Sequence, residues 1–327
     1  MKALVVPSYG SPDKLEISDV DIPEIKDDDV LIQVHASSIN SHDYRTLKGK
    51  PFLVRLQYGL LKPKQNTVLG TDIAGVVEAV GKSVTAYKAG DAVYGCLADN
   101  GGGGGFAEYA CAKEKIITFT AKGMSFEEAA SLPMAAVTAL QGLRDSGKIR
   151  AGQRVLINGA SGGVGTFAVQ IAKSYDTEVT AVCSGRNAQL LRGIGADRVI
   201  DYEKTDFIRE NDRYDLIIDI AANHSVNEIR QVLNPDGTCV VIGFSGFSYL
   251  FQIMLSGRGN AKNQNRKVVM LTADNSSKDD LDYINRLFES RKIKPSIDEV
   301  FTLDEAEKAF TYFEEKHAKG KVVIKIV

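Results

Sequence analysis

The chain has little cysteine, almost no net charge and no long apolar run. Its four cysteines, at 96, 111, 183 and 239, are scattered and form no C-x-x-C pair. This excludes a disulfide framework and a structural zinc lobe of closely spaced thiolates, and makes a reducing, cytoplasmic setting the default expectation. Formal net charge is −2, so no global field draws nucleic acid or an acidic membrane. A basic, aromatic patch of the kind that binds single strands is not apparent either. The longest apolar stretch, "YLFQIML" at 249–255, falls far short of the ~20 residues that span a bilayer. The opening "MKALVVPSYG" lacks a long apolar core and a small-residue cleavage site, so it reads as a strand and not as a signal peptide.

What remains is a soluble globular composition, 44% apolar and 25% charged, in 327 residues. That is enough for one large domain or two ordinary ones. The first ~120 residues read as strands separated by turns: "KALVV", "DVLIQVHASSI", "TDIAGVVEAVG" and "GDAVYGCLA". They suggest an antiparallel, barrel-like unit. A long connection, "DYRTLKGKPFLVRLQYGLLKPKQNT", reads as neither strand nor helix. Its apolar residues between Pro51 and Pro63 have two readings, a wall for an apolar substrate or packing in a core or dimer contact. The glycines at 101–105 are either a surface turn or a hinge beside a site.

From about residue 124 the pattern changes. "SFEEAASLPMAAVTALQGLRDSG" is helical, with Ser125 as N-cap and acids in the first turn. Six continuous apolar runs follow: 154–158, 178–183, 198–202, 215–221, 238–243 and 267–273. Uninterrupted runs mark strands buried on both faces, and with helical crossovers they predict a doubly wound parallel sheet. The terminal "KVVIKIV" has no helix after it and is expected to return to the first unit.

The first apolar run feeds into "GASGGVG", and a helix with apolar residues at Val164, Phe167, Ala168, Ile171, Ala172 and Tyr175 follows. A glycine-rich turn between a buried strand and a helix start is the geometry of a dinucleotide turn. Backbone N–H groups and the positive helix end meet a diphosphate there. In G-x-G-x-x-G terms the places are Ala160, Gly162 and Gly165, with Ser161, Gly163 and Val164 lining the phosphates. NAD-selective folds carry an acid at the end of the second strand. Here that end reads "AVCSGRN", with Ser184 and Arg186 and no carboxylate. An acid ~4 Å from a 2′-phosphate costs roughly 4 kcal/mol, about a thousandfold in binding, so the window favours NADP(H). Tyr202, ending the third strand, flanks the same adenosine end or packs in the core.

Taken together, "GQRVLINGASGGVGTFAVQIAK", "LGTDIAGVVEAVGKSVTAYKAGDAVYG", "SSINSHDYR" and "GKVVI" resemble the zinc-independent quinone oxidoreductase branch of the medium-chain dehydrogenase/reductase superfamily. The resemblance covers nearly the whole chain. It implies an α/β protein: a GroES-like β-barrel catalytic domain (1–123), a Rossmann domain with a doubly wound six-stranded parallel sheet (124–292), and a C-terminal return to the barrel (293–327). It implies hydride transfer from NADPH to a quinone or to the C=C bond of an α,β-unsaturated carbonyl. Where zinc alcohol dehydrogenases of the superfamily carry metal ligands, this chain has Asn40 and Gly70-Thr71-Asp72, so no metal is expected. The resemblance puts "INSHDYR" and "GTD" at the domain cleft. Asn40 and Tyr44 are then expected to contact substrate or nicotinamide, with Asp43 either catalytic or a loop cap. Thr138, Gly243 and Phe244 are expected near the nicotinamide, and Lys321 reaches a phosphate or lies on the surface. A homodimer paired through the sixth strand is expected, since exposed strand edges invite pairing. Two other classes stay open: a non-catalytic NADPH-binding sensor or structural protein, and a zinc-dependent alcohol dehydrogenase.

Overall fold

The computed structural model describes residues 1–64, 67–98, 103–243, 253, 265–274, 277–315 and 318–327. They divide into two compact units. The first comprises Met1–Ala135, Asn275–Ser290 and Ile297–Val327, and the second Ala136–Asp274 and Arg291–Ser296.

In the first unit, β1 (Lys2–Val5) and β2 (Glu16–Asp19) form an antiparallel pair. The main sheet contains β3 (Asp29–Ser38), β4 (Asp72–Val80), β5 (Ala92–Cys96), β6 (Tyr109–Lys113), β7 (Ile117–Phe119), β14 (Ile297–Thr302) and β15 (Lys321–Lys325), in the order β14-β15-β3-β4-β5-β7 with β6 also on β3. Strand β3 is the hub. It pairs antiparallel with β4, β6 and β15, and Val30, Ile32 and Val34 are fully buried in the core with Ile73, Val77 and Val93. The return of the chain end is therefore structural, since β15 completes the sheet beside the strand that leads into Asn40.

The connection read as irregular contains two helices, Ser41–Lys48 and Leu53–Tyr58. Ser125 caps its helix as expected, accepting the Glu128 N–H at 3.1 Å while Glu128 Oε2 accepts the Ser125 N–H. That helix ends at Ala130, and a second one runs from Pro133 to Gln141, because proline restarts a helix but cannot continue one. The helix Lys278–Glu289 was expected with the nucleotide-binding domain, but it groups with the first unit. Tyr94 Oη donates to Asn285 Oδ1 at 2.9 Å, Asn285 Nδ2 donates to the Phe119 carbonyl at 2.9 Å, and Thr118 Oγ1 donates to Asp282.

The second unit is built on β8 (Arg154–Asn158), β9 (Glu178–Cys183), β10 (Arg198–Asp201), β11 (Tyr214–Asp219), β12 (Leu233–Val241) and β13 (Lys267–Met270). All neighbours are parallel in the order β10-β9-β8-β11-β12-β13. The order in which the chain adds strands reverses across the β8–β11 pair, with β9 and β10 laid down on one side and β12 and β13 on the other, and such sheets bind ligands outside this switch point. The helix Gly163–Lys173 is buried along Gly165–Ala172, more than a one-sided apolar stripe requires. Its second side is covered by 291–296, where Gln170 exchanges two hydrogen bonds with the Lys294 backbone, at 3.0 and 2.8 Å.

Candidate active site

The register of the parallel sheet gathers the expected cofactor residues at one end. Asn158 is level with Val182 and Asp219, Cys183 with Asp201, and Asp219 with Val241. The segments beginning at Gly159, Ser184, Tyr202, Ile220 and Ile242 therefore leave from the same edge. Gly159 turns the chain at φ +86°, and Gly162 stands as N-cap of the helix Gly163–Lys173. A Cβ on Gly165 would lie 2.3 Å from the Gly159 carbonyl oxygen, so only glycine lets the helix pack this close to the turn. At Gly162 an added Cβ would meet nothing nearer than 3.8 Å, which leaves an open approach to the first N–H groups of the helix. The turn fits a diphosphate, with the backbone of Ala160 to Gly165 as its cradle.

Ser184 is buried and accepts from Asn187 Nδ2 at 3.3 Å, while Arg186 is exposed. Tyr202 is 51% exposed, which removes it from the core and leaves its ring beside this edge. The neighbouring strand supplies what the second-strand window lacks. Asp201, level with Cys183, brings its carboxylate to 2.4 Å from where a Gly185 Cβ would stand. It is bonded by the Glu203 N–H at 3.2 Å and lies 3.4 Å from Lys204 Nζ. With burial, this carboxylate pushes the Cys183 thiol up to about 11. Gly243 sits where a Cβ would come to 2.2 Å of the Ile220 carbonyl oxygen, and Thr138 is buried on its helix. Phe244 lies outside the described residues.

Sequence reasoning missed the group at the switch point itself. Asn158 Nδ2 donates to Asp219 Oδ1 and Asn223 Oδ1, both at 2.8 Å, and Asp219 Oδ1 also accepts the Ala222 N–H. A polar residue closing one apolar strand run, Asn158, and another interrupting a second, Asp219, were the available signal. His224 bridges Asn223 and Asp206 at 3.1 and 3.0 Å and packs edge-on against Phe207, a structural role.

The first unit holds a buried polar cluster where β3, β4 and β15 meet the helix Ser41–Lys48. Asn40 Nδ2 donates to Asp72 Oδ2 at 2.8 Å and Thr71 Oγ1 at 3.1 Å, and its Oδ1 accepts from Lys321 Nζ at 2.5 Å. Lys321 Nζ also lies 3.4 Å from Asp72 Oδ2. Asp72 accepts from Ser38 Oγ at 2.9 Å and from the Met134 N–H at 3.0 Å, so its carboxylate also closes a helix N-terminus. Asp43 accepts the N–H groups of Asn40 at 2.8 Å and Gly70 at 3.2 Å. Burial, reinforced by the Asp72 charge and opposed by Lys321 and the backbone donors, raises its pKa to about 7. The described end of the glycine run supports this cluster. Gly70 has φ +100°, and a Cβ on Gly105 would stand 2.7 Å from Ile73 Cγ2 and 2.8 Å from the Asp72 carbonyl oxygen. Gly105 is thus a close backbone approach beside Asp72, while Gly101 and Gly102 lie outside the described residues.

Residues 26–121 match the Alcohol dehydrogenase GroES-like domain family, and residues 194–324 match the Zinc-binding dehydrogenase family. The chain is 34% identical over 334 residues to 2-methylene-furan-3-one reductase of Solanum lycopersicum, covering 99% of this chain and 79% of that protein. It is 32% identical to the chloroplastic quinone-oxidoreductase homolog of Spinacia oleracea, covering 99% and 98%. The solved structure of the quinone oxidoreductase from Coxiella burnetii superposes with a TM-score of 0.88 at 31% identity, covering 100% of this chain and 99% of that one. The protein belongs to the quinone oxidoreductase branch of the medium-chain dehydrogenase/reductase superfamily.

One of the two family descriptions carries zinc, and the cluster does not fit it. Zinc takes three or four N, S or O donors around one point. Here the ammonium of Lys321 already bonds two of the side chains that stand at the ligand places, Asn40 and Asp72. Among the described residues no group of three or more His, Cys, Asp or Glu is arranged to hold a metal ion.

The same cluster redistributes the roles expected of its members. The amide of Asn40 is engaged on both its oxygen and its nitrogen by protein groups, and Asp43 caps its loop through two backbone N–H groups. Lys321, expected at a phosphate or on the surface, is buried and gives its ammonium to Asn40 and Asp72. Tyr44, expected to donate to substrate, donates instead to Glu314 Oε1 at 2.6 Å, beside the Lys48–Glu314 ion pair. The residue left with capacity is His42. Its Nδ1 is buried with no hydrogen-bond partner, and burial together with the Arg45 cation lowers its pKa, which favours the neutral ring.

Proposed function

We propose that this protein is an NADPH-dependent reductase that delivers hydride to a quinone or to the C=C bond of an α,β-unsaturated carbonyl without zinc. One observation carries the reading: the Lys321 ammonium bonded to Asn40 and Asp72, a cation built into the chain where a metal would otherwise sit. A bound metal stabilises an alkoxide as a Lewis acid, whereas a conjugated acceptor spreads the arriving charge onto an oxygen that hydrogen-bond donors can hold. The relatives' printed names, a furanone reductase and quinone oxidoreductases, support the same acceptor class.

When bound, the reduced nicotinamide supplies the hydride. The chain's own residues bind and orient. The backbone from Ala160 to Gly165 holds the diphosphate, with Ser161, Gly163 and Val164 lining it. Ser184 and Arg186 favour the 2′-phosphate, Tyr202 flanks the adenine, and Thr138 and Gly243 are assigned to the nicotinamide half. His42, as a neutral imidazole with a free nitrogen, is assigned the hydrogen bond to the acceptor oxygen. Asn40, Asp43 and Lys321 hold the segment that carries it. A homodimer paired through the edge strand β13 belongs to the same reading, and light scattering on the purified protein tests it.

Oxidation of NADPH across a panel of quinones, enones and aldehydes decides between a reductase and a binding protein. Turnover with quinones or enones supports the reading. Tight NADPH binding without turnover on any acceptor would make the protein a sensor. Chelator-sensitive oxidation of a simple alcohol would restore the zinc reading.

A further inference from the structure

From Tyr44 to Thr71 the chain has no acidic residue and six cations: Arg45, Lys48, Lys50, Arg55, Lys62 and Lys64. Within it Phe52, Leu53, Leu56, Leu60 and Leu61 all face solvent, Leu56 at 62% and Leu61 at 93% exposure. Single exposed leucines are ordinary, but five in one ten-residue stretch of a folded surface call for a partner. The spacing is helical. Phe52, Leu53 and Leu56 share one face of the helix Leu53–Tyr58, and Leu60 and Leu61 follow just beyond its end.

The stripe is held outward by a fixed backing. Tyr58, on the opposite face, is buried with its ring edge-on to His42. Tyr9 Oη donates to the Gly59 carbonyl at 2.7 Å, and Arg55 Nε donates to the Gly49 carbonyl at 3.1 Å while its guanidinium lies over the Tyr9 ring. The Lys64 N–H closes the segment on the Tyr58 carbonyl at 2.7 Å. Lys48 and Arg55 are engaged within the fold, whereas Lys50, Lys62 and Lys64, flanking the stripe in sequence, are exposed.

We propose that this face docks onto an anionic lipid surface. The apolar side chains enter the headgroup boundary and the exposed cations meet lipid phosphates. A second copy of the chain is the poorer partner, because two-fold pairing of this face would set the same cations against each other. The docking is independent of the reductase reading, since binding is measured without turnover.

Flotation of the full chain tests it, with vesicles of phosphatidylcholine alone and of phosphatidylcholine mixed with phosphatidylglycerol. The chain floats with the mixed vesicles and not with the neutral ones, and high salt weakens the binding. Replacing Leu56→Ser with Leu61→Ser lowers bound protein by about tenfold or more, and so does Lys62→Glu with Lys64→Glu, a pair whose exposed side chains leave folding intact. No flotation with either vesicle, or equal flotation with both, overturns the proposal. A fall in molar mass by light scattering in the leucine variant also overturns it, making the stripe a protein interface.

Discussion

The Asp201 carboxylate lies against the backbone of Gly185, its Oδ2 2.4 Å from where a Cβ would project. The loop that lacks an acid in sequence thus has one in space, contributed by the next strand through the Cys183–Asp201 register. Arg186 and Lys204 stand on the other side of the balance.

That balance predicts how cofactor choice responds to mutation. Arg186→Ala weakens NADPH by about tenfold and leaves NADH nearly unchanged, as expected for loss of one partly screened charge pair. Asp201→Asn moves the ratio the other way. Fluorescence titration with both cofactors reads the result, and equal losses for NADPH and NADH in Arg186→Ala would remove that residue from phosphate recognition.

The two glycines of the turn separate packing from binding. Gly165→Ala forces a Cβ to 2.3 Å from the Gly159 oxygen and destabilises the unit by about 1–3 kcal/mol. Gly162→Ala meets only an atom at 3.8 Å. It leaves the thermal midpoint in place while cofactor affinity falls, because the new methyl occupies the approach to the helix start. Thermal unfolding and titration of both variants give the comparison.

Lys321 and Asp72 are both buried, so removing one leaves the other uncompensated. Lys321→Met destabilises the fold by about 3–5 kcal/mol. Adding Asp72→Asn to it recovers part of that loss, which a double-mutant cycle by urea unfolding measures. Strict additivity of the two changes would mean that the pair does not interact.

Asp43 makes stability fall as pH rises. Its folded pKa, about 7, lies above the ordinary carboxyl value of 3.8. The folded state therefore holds a proton that the unfolded chain has released across that window. This contribution is fully present below the unfolded value and is lost as pH rises through about 7. Asp43→Asn flattens the decline of the unfolding midpoint between those two pH values, and an unchanged slope would assign the decline to another group.

His42 and Tyr44 make opposite predictions for turnover. His42→Ala lowers kcat by about tenfold to a hundredfold if its imidazole holds the acceptor oxygen. Tyr44→Phe, whose hydroxyl serves Glu314, changes kcat by less than about twofold and acts mainly on stability. Steady-state kinetics with a quinone or enone that the protein turns over distinguishes them, and the reverse order would return Tyr44 to the reacting centre.

The sequence alone determined the local patterns. Six uninterrupted apolar runs foretold a buried parallel sheet, "GASGGVG" foretold the turn between strand and helix, and Ser125 foretold its N-cap, because each depends on neighbours within a few residues. The tertiary structure decided who meets whom. Lys321 reaches Asn40 across 281 positions, Tyr44 reaches Glu314 across 270, and Asp201 enters the second-strand window only through sheet register. Such pairings are set by how strands and helices pack, and no periodicity along the chain records them. The buried cation at the ligand places was therefore legible only once the fold had brought β15 against β3.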